Sequence, residues 1–114
     1  MVQVIISDTL NNEISKIIDK IFERYEIKNR IRDKKVLVKP NILGSFPPER
    51  GVTTDPKLIS AIVKNLKKCK AKEIIVGDNS GSIKINLSRI FKGLGYSPFC
   101  YFIKTNPAVI IFYF

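Results

Sequence analysis

The residues of this chain best suited to chemistry are polar side chains that follow short apolar runs. Lys39 and Asn41 come just after the run Val36–Val38, and Asp78 comes just after the run Glu73–Val76. A lysine ammonium attracts phosphate or carboxylate, an asparagine amide orients polar ligands, and a carboxylate holds Mg²⁺ or a ribose hydroxyl. The candidate ligand-binding residues are Lys39, Asn41, Thr53, Thr54, Asp78 and Ser80, and Asp78 is also the candidate metal ligand. The pattern assigns no residue a catalytic role.

Each candidate also has an ordinary structural alternative. A lysine at a strand end commonly reaches into solvent, and Asn41 can bond to the loop backbone after Pro40. Thr53 and Thr54 precede a helix start, where backbone N–H groups favour anions, but threonines there also act as simple caps. Asp78 can form a turn with the small polar residues that follow it. The sequence leaves both interpretations open for each residue.

Alternating strands and helices are expected to gather these residues at one edge of a sheet. The predicted strands are Val2–Ile6, Val36–Val38 and Glu73–Val76, and the predicted helices are Leu10–Ile27, Pro56–Cys69 and Asn86–Leu94. This order predicts an α/β fold with three layers and a mostly parallel sheet built from βαβ units, in a single domain over residues 1–114. Ligands of such sheets bind beyond the carboxyl ends of the strands, which is where the polar clusters lie.

Local signals mark several element boundaries. A continuous apolar run closed by Pro40 predicts a strand buried on both faces, because proline cannot continue the pairing. The loop from Ile42 to Asp55 holds two glycines and two prolines and predicts irregular structure. Asp55 before Pro56 predicts a capped helix start, and Gly95 predicts a helix end.

The tail, residues 96–114, differs in kind from the rest of the chain. Ala108–Phe114 is apolar, β-prone and uncharged, which predicts a further buried strand or an aggregation-prone segment. Two expectations remain open: the tail inserts into the sheet, or the chain is a truncated piece of a larger protein. Self-association through Ala108–Phe114 is a third expectation for a non-catalytic remnant.

The charge is strongly basic, with 20 Lys and Arg against 10 Asp and Glu and a formal net charge of +10. Such a balance favours anionic partners, namely phosphates, nucleic acid or acidic lipid, although solvated lysine faces explain it equally simply. A nucleic-acid-binding module is therefore the alternative function. It is less favoured because the aromatic residues lie in the apolar tail, not among the lysines, and no known nucleic-acid-binding motif is present.

The metal and redox chemistry available to the chain is limited. It has two distant cysteines, Cys69 and Cys100, and no histidine, which argues against zinc and iron–sulfur sites and against nucleophiles paired with histidine. A divalent cation at Asp78 remains the one cofactor expectation. Without a signal peptide, a span of about 20 apolar residues or a disulfide pattern, the sequence predicts a cytoplasmic protein.

Three motifs together resemble a known family. They are Val36–Leu43 (VLVKPNIL), Val52–Pro56 (VTTDP) and Lys72–Gly81 (KEIIVGDNSG), in this order along the chain. They are similar to the lysine-proline-asparagine, threonine-threonine-histidine-proline and glycine-aspartate-serine motifs of the family called domain of unknown function 362. Asp55 stands where the family often has histidine.

The resemblance is strongest over residues 36–95 and implies the N-terminal part of an uncharacterised domain. The family is longer than this chain, and some members carry a ferredoxin-type segment with clustered cysteines. This chain has no such segment, so no iron–sulfur cluster is expected to be ligated within it. The favoured function is binding of a small anionic or polar ligand, or of a metal, at the sheet edge, in a protein whose reaction the family does not define.

Overall fold

The computed structural model describes residues 4–8, 13–79, 87–95, 101–106 and 109–113. Four helices and four strands are formed in these segments. In chain order they are α1 (Ile14–Arg24), α2 (Ile27–Ile31), β1 (Lys35–Val38), α3 (Pro56–Lys68), β2 (Glu73–Asn79), α4 (Leu87–Gly93), β3 (Tyr101–Asn106) and β4 (Val109–Tyr113), with a short 3₁₀ helix at Pro48–Arg50 in the loop between β1 and α3.

The strands form one sheet in the order β1-β2-β4-β3. β1 and β2 are parallel, with Lys35 opposite Glu73 and Val38 opposite Val76, and α3 connects them. β4 is antiparallel to both of its neighbours, β2 and β3. The predicted α/β class with a parallel βαβ unit is therefore confirmed, and the sheet is mixed because β4 enters it in the opposite direction. The three-layer arrangement stays a prediction.

The core lies between the sheet and the helices. Ile74 and Val76 of β2 are 2% and 0% exposed, and they pack with Ile59, Val63 and Leu66 of α3. Neighbouring side chains from several elements complete this cluster, namely Phe22, Ile31, Val36, Val38, Ile90 and Leu94. The three- and four-residue spacing of apolar residues on α3 thus buries one helix face against β2, as the sequence predicts.

Capping residues set the ends of two helices where the sequence predicts them. The Asp55 carboxylate accepts the backbone N–H of Lys57 at 2.7 Å, and Pro56 is the first residue of α3. Gly95 follows α4 with φ at +86°, a left-handed conformation that suits glycine. Its N–H donates to the carbonyl of Lys92 at 3.2 Å.

The first helix is shorter than predicted. Instead of one helix over Leu10–Ile27, the chain breaks after Arg24, and Glu26 takes a left-handed φ of +49° before α2 starts. A left-handed residue interrupts the i to i−4 hydrogen bonds, so the apolar spacing continues across the break while the helix does not. Residues 9–12, which include the predicted helix start, lie outside the described segments.

A buried polar contact joins α1 to α3. The Asn65 amide donates to the Asp19 carboxylate at 2.7 Å and to the Ala61 carbonyl at 3.1 Å. The Lys68 ammonium lies 3.5 Å from the same carboxylate. The hydrogen bond from Asn65 has the largest effect and lowers the pKa of Asp19 below its ordinary value. Desolvation raises this pKa by a smaller amount, and the charge of Lys68 lowers it further.

Two strand predictions are wrong. Val4, Ile5 and Ile6 lie outside any strand and are 78%, 47% and 94% exposed, so this part of the predicted strand Val2–Ile6 is not formed; Val2 and Gln3 lie outside the described segments. β1 is also not buried on both faces, because Leu37 is 69% exposed. β1 is the end strand of the described sheet. Only one of its faces packs against the core, and that face carries Val36 and Val38.

Within the tail, residues 101–106 form β3 and residues 109–113 form β4. β4 lies between β2 and β3, with Val76 opposite Phe112 and Phe102 opposite Phe112 on the other side. The expected insertion of the tail into the sheet is confirmed for these residues, and truncation of a larger protein stays a prediction. Both edges of β4 are hydrogen-bonded within the chain, so β4 offers no free edge for pairing with a second copy.

Candidate functional site

Lys39 and Asp78 meet at the carboxyl end of the parallel strand pair. Lys39 follows β1 directly, and Asp78 lies near the end of β2, two residues beyond Val76. The Lys39 ammonium is 2.8 Å from Asp78 Oδ1. The Lys39 side chain is 61% exposed and that of Asp78 is 4% exposed, so a buried carboxylate holds a largely solvated ammonium. The parallel register of β1 and β2 is what places the two residues side by side.

The second oxygen of Asp78 fixes the loop that follows β1. The backbone N–H of Ile42 donates to Asp78 Oδ2 at 2.9 Å, in a buried position. Pro40, fully buried, directs the chain from β1 into this contact. A buried carboxylate that accepts a backbone N–H and an ammonium has both oxygens occupied, which offsets the cost of removing its charge from water. Asp78 is therefore a structural anchor of this loop, whatever else it binds.

Asn41 and the threonines lie in the same loop. The Thr54 hydroxyl accepts the Asn41 N–H at 2.9 Å and approaches the Asn41 carbonyl at 3.3 Å, which also accepts the Thr54 N–H at 2.9 Å. Ile42 and Thr53 form an isolated antiparallel bridge one step further along. The two arms of the long loop are thereby closed onto each other beside Asp78.

Thr53 carries a buried polar atom without a partner. Its residue is 6% exposed, and within the described part of the chain its hydroxyl makes no hydrogen bond. A buried hydroxyl without a partner costs free energy, on the order of 1–3 kcal/mol from mutational data. Among the described residues, this is the one buried side-chain nitrogen or oxygen atom that has no hydrogen-bond partner.

The predicted site residues are thus brought together in part. Lys39, Asn41, Thr53, Thr54 and Asp78 lie in one connected network, although Thr54 acts differently from the expectation. Thr54 bonds to the backbone of Asn41 rather than presenting its hydroxyl at the start of α3, where Asp55 is the cap. Ser80 lies outside the described residues.

The rest of the loop displays apolar side chains. Leu43 and Phe46 are 63% and 40% exposed, and the Arg50 guanidinium lies 5.6 Å from the centre of the Phe46 ring. This distance fits a cation–π contact. The guanidinium of Arg50 is therefore held over an aromatic ring in this loop.

An open groove of about 440 Å³ lies elsewhere, between the first turns of α1 and α3. It is lined by Glu13, Ile14, Ser15, Lys57, Ser60, Ala61 and Lys64. None of the predicted site residues borders it, so this groove is separate from the network around Asp78. In the described part of the chain, no three His, Cys, Asp or Glu side chains lie close enough together to share a metal ion.

Sequence reasoning missed two participants in the site. The first is the Ile42 N–H, a backbone group that lies 36 residues from Asp78 and carries no sequence signal of its own. The second is the burial of Thr53, since a polar residue before a helix start is ordinarily exposed. The sequence does show a proline, Pro40, shortly after an apolar run. That position is a signal that the chain turns in the interior of the protein at this point, and Pro40 is indeed buried.

A comparison with known protein families matches the part of the chain that contains β1 and the loop after it. A family model for Domain of unknown function (DUF362) matches residues 36–110 of the 114-residue chain. The chain belongs to the DUF362 family. The match begins at β1, as the motifs predict, and continues beyond Gly95 into β4, so the apolar tail is largely within the DUF362 range. No curated protein and no solved structure matches the chain.

The matched range contains the whole network around Asp78. Lys39, Asn41, Thr53, Thr54 and Asp78 all belong to the DUF362 portion, whereas α1 and α2 precede it. In the described segments, no helix is both long enough and apolar enough to cross a membrane. The family description itself states no activity.

Proposed function

We propose that this DUF362 domain binds a small anionic ligand, of the phosphate or carboxylate type, at the carboxyl edge of β1 and β2. The proposed site consists of Lys39, Asn41, Thr53, Thr54, Asp78 and Ser80, in which Asp78 holds the Lys39 ammonium in place rather than contacting the anion. The observation that supports this most is the pair in which buried Asp78 holds the exposed ammonium of Lys39 at 2.8 Å. The pair fixes a cation at the strand edge where α/β proteins bind ligands.

The geometry leaves donors for a ligand. A lysine ammonium has three N–H donors, and Asp78 uses one side of it. Asn41 is exposed, and its backbone, not its side-chain amide, makes the contacts to Thr54. The Thr53 hydroxyl, buried and without a partner in the described residues, supplies a further donor if the loop shifts when a ligand enters.

A divalent cation at Asp78 is the competing proposal for the same place. Lys39 and the Ile42 N–H already occupy the two carboxylate oxygens, so a metal ion must displace at least the ammonium. The two proposals therefore make opposite predictions for Lys39→Met. Loss of the ammonium weakens an anion site and strengthens a cation site.

The experiment is an NMR titration of the uniformly ¹⁵N-labelled chain with inorganic phosphate and, separately, with Mg²⁺. For an anion site, phosphate shifts the amide resonances of Asn41, Ile42 and Thr54 saturably, and Lys39→Met weakens this binding about tenfold or more. Lys57→Met is the matched control, since it removes one exposed lysine at the start of α3 outside the network. Phosphate affinity of the control stays within about twofold.

Two results count against the proposal. One is the absence of a saturable phosphate shift up to about 10 mM, which corresponds to a binding free energy weaker than roughly −3 kcal/mol. The other is Mg²⁺ binding that Lys39→Met strengthens and Asp78→Asn abolishes, which would assign the edge to a cation. Equal losses in Lys39→Met and Lys57→Met would place phosphate on the general positive charge rather than at this site.

A further inference from the structure

A second surface, at the opposite end of the parallel strands, concentrates the positive charge of the chain. Residues 28–35 lead from α2 into β1, and residues 67–73 lead from α3 into β2. These two connectors lie side by side, because the Asp33 N–H donates to the Lys70 carbonyl at 3.0 Å and the Lys72 N–H donates to the Lys34 carbonyl at 2.9 Å. β1 separates this surface from Lys39 by four residues, roughly 13 Å.

This surface is called the basic pole, and its cations come from both connectors. They are Lys28, Arg30, Arg32, Lys34, Lys35, Lys67, Lys68, Lys70 and Lys72, all of them exposed. The same two segments contain two acids, Asp33 and Glu73. Glu73 pairs with Lys35 at 2.7 Å, and Arg32 lies 3.8 Å from Asp33. Nearly half of the 20 lysines and arginines therefore lie at one end of the molecule, away from the proposed ligand site.

The backbone at the basic pole retains charged residues where glycine would fit more easily. Lys70 and Asp33 both have φ of +59°, in the left-handed region. Of the other three left-handed positions in the described residues, two are glycine, namely Gly51 and Gly95, and the third is Glu26. A lysine in this conformation costs about 1 kcal/mol relative to glycine, so charge is present at Lys70 despite an unfavourable backbone.

We infer that the basic pole binds the phosphate backbone of double-stranded nucleic acid without sequence preference. Closely spaced exposed lysines and arginines release counterions from the duplex, which supplies non-specific affinity. Neither connector contains an aromatic residue on which an unpaired base could stack, so a duplex fits the surface better than a single strand. This inference is independent of the proposed anion site, which lies at the other end of β1 and β2.

The composition of the basic pole fits other macromolecules less well. Protein interfaces are depleted of lysine and depend on buried aromatic or apolar anchors, which the two connectors do not expose. Stable attachment to a membrane surface needs apolar side chains that enter the lipid, and the exposed residues here are charged. An acidic protein and an anionic vesicle are therefore the comparison arms of the test.

The test measures fluorescence anisotropy of a labelled 20-base-pair duplex of mixed sequence at several salt concentrations. The variant of the basic pole is Arg30→Gln, Lys70→Asn and Lys72→Gln combined. Asparagine is chosen at position 70 because it tolerates a left-handed φ. In the described part of the chain, these three side chains make no ion pair, so their removal leaves no acid unpaired.

The control combines Lys16→Gln, Lys20→Gln and Lys57→Gln, three exposed lysines outside the basic pole that change the net charge equally. At about 50 mM salt, we expect the pole variant to lose tenfold or more in duplex affinity and the control to lose less than threefold. Each phosphate contact removed should reduce the slope of log affinity against log salt by about 0.9. Circular dichroism of both variants checks that folding is retained.

Several outcomes would overturn the inference. Equal losses in the two triple variants would show that net charge, not this surface, governs binding. No duplex binding at about 50 mM salt would remove the activity altogether. Tighter binding to oligo-glutamate, to vesicles containing phosphatidylserine or to oligo(dT) than to the duplex would assign the basic pole to a different partner.

Discussion

Removing the Asp78 carboxylate should release the long loop from the sheet. In Asp78→Ala, the buried N–H of Ile42 loses its acceptor, and the Lys39 ammonium loses its carboxylate. A hydrogen bond to a charged group contributes about 1.5–3 kcal/mol, and an ion pair with one largely exposed partner contributes about 0–1 kcal/mol. The expected loss in the free energy of unfolding is therefore about 2–4 kcal/mol.

The assay is urea denaturation of wild type, Asp78→Ala, Asp78→Asn, Lys39→Met and the double variant Asp78→Asn with Lys39→Met. Asparagine keeps an oxygen acceptor for the Ile42 N–H while removing the charge, so Asp78→Asn should cost about 1 kcal/mol, clearly less than Asp78→Ala. The double-mutant cycle gives the coupling between positions 39 and 78, expected at about 0.5–1 kcal/mol. A loss of 2–4 kcal/mol corresponds to a fall in Tm of roughly 8–16 °C.

A site-specific measurement decides whether the reasoning is right. Amide hydrogen exchange of Ile42 should be slow in wild type and Asp78→Asn, and fast in Asp78→Ala, because only alanine removes the acceptor. If Asp78→Ala costs less than about 1 kcal/mol and the Ile42 amide stays protected, the carboxylate does not anchor the loop.

Three further predictions concern the rest of the fold. Gly95→Ala should cost about 1 kcal/mol because φ is +86° there. Gly93→Ala, at the last residue of α4 with open space where a Cβ would lie, should stabilise by about 0.5–1 kcal/mol, so urea denaturation of the two variants should give opposite signs. The pKa of Asp19 is lower in the folded chain than in the unfolded chain, so the charged carboxylate stabilises the fold. This stabilisation is fully present above the unfolded pKa of about 3.9 and is lost as the pH falls through the lower pKa of the folded chain. The stability difference between wild type and Asp19→Asn should thus shrink between pH 6 and pH 3, and an unchanged difference would contradict the contact with Asn65. Thr53→Val should raise the free energy of unfolding by about 1 kcal/mol, since valine replaces a buried hydroxyl without a partner, and calorimetry showing a loss instead would reveal a hydrogen bond to that hydroxyl.

Local signals in the sequence were enough to predict the start of α3 and the end of α4, but they did not predict the break between α1 and α2. Asp55 and Gly95 act within one turn of their own positions, through a side-chain acceptor and a left-handed backbone, so no distant partner has to be known. The α/β class also follows from the chain alone, because alternating element types constrain the topology. Convergence of Lys39 and Asp78 was predictable for the same reason, as parallel strands share one edge.

Features that depend on distant neighbours could not be read from the sequence. Leu37 lies in an apolar run that suits a central strand, but β1 ends the described sheet, so one of its faces stays open. Val4–Ile6 have strong β propensity, yet propensity does not provide a partner strand. The antiparallel pairing of β4 likewise depends on which strands have an unpaired edge. The residues of the tail do not specify those partner strands.

The position of β4 has a consequence for the order in which the molecule is completed. β3 is synthesised before β4, but in the sheet β4 lies between β3 and β2. The partner of Ile75 in β2 is Tyr113, which is among the last residues of the described chain to be made. During synthesis, α3 and the β1–β2 pair can assemble before residues 109–113 are made, and one edge of β2 stays uncovered until then. An uncovered apolar strand edge invites association with other nascent chains. A ribosome-bound chain that ends before residue 109 should therefore expose the inner edge of β2 to chaperones.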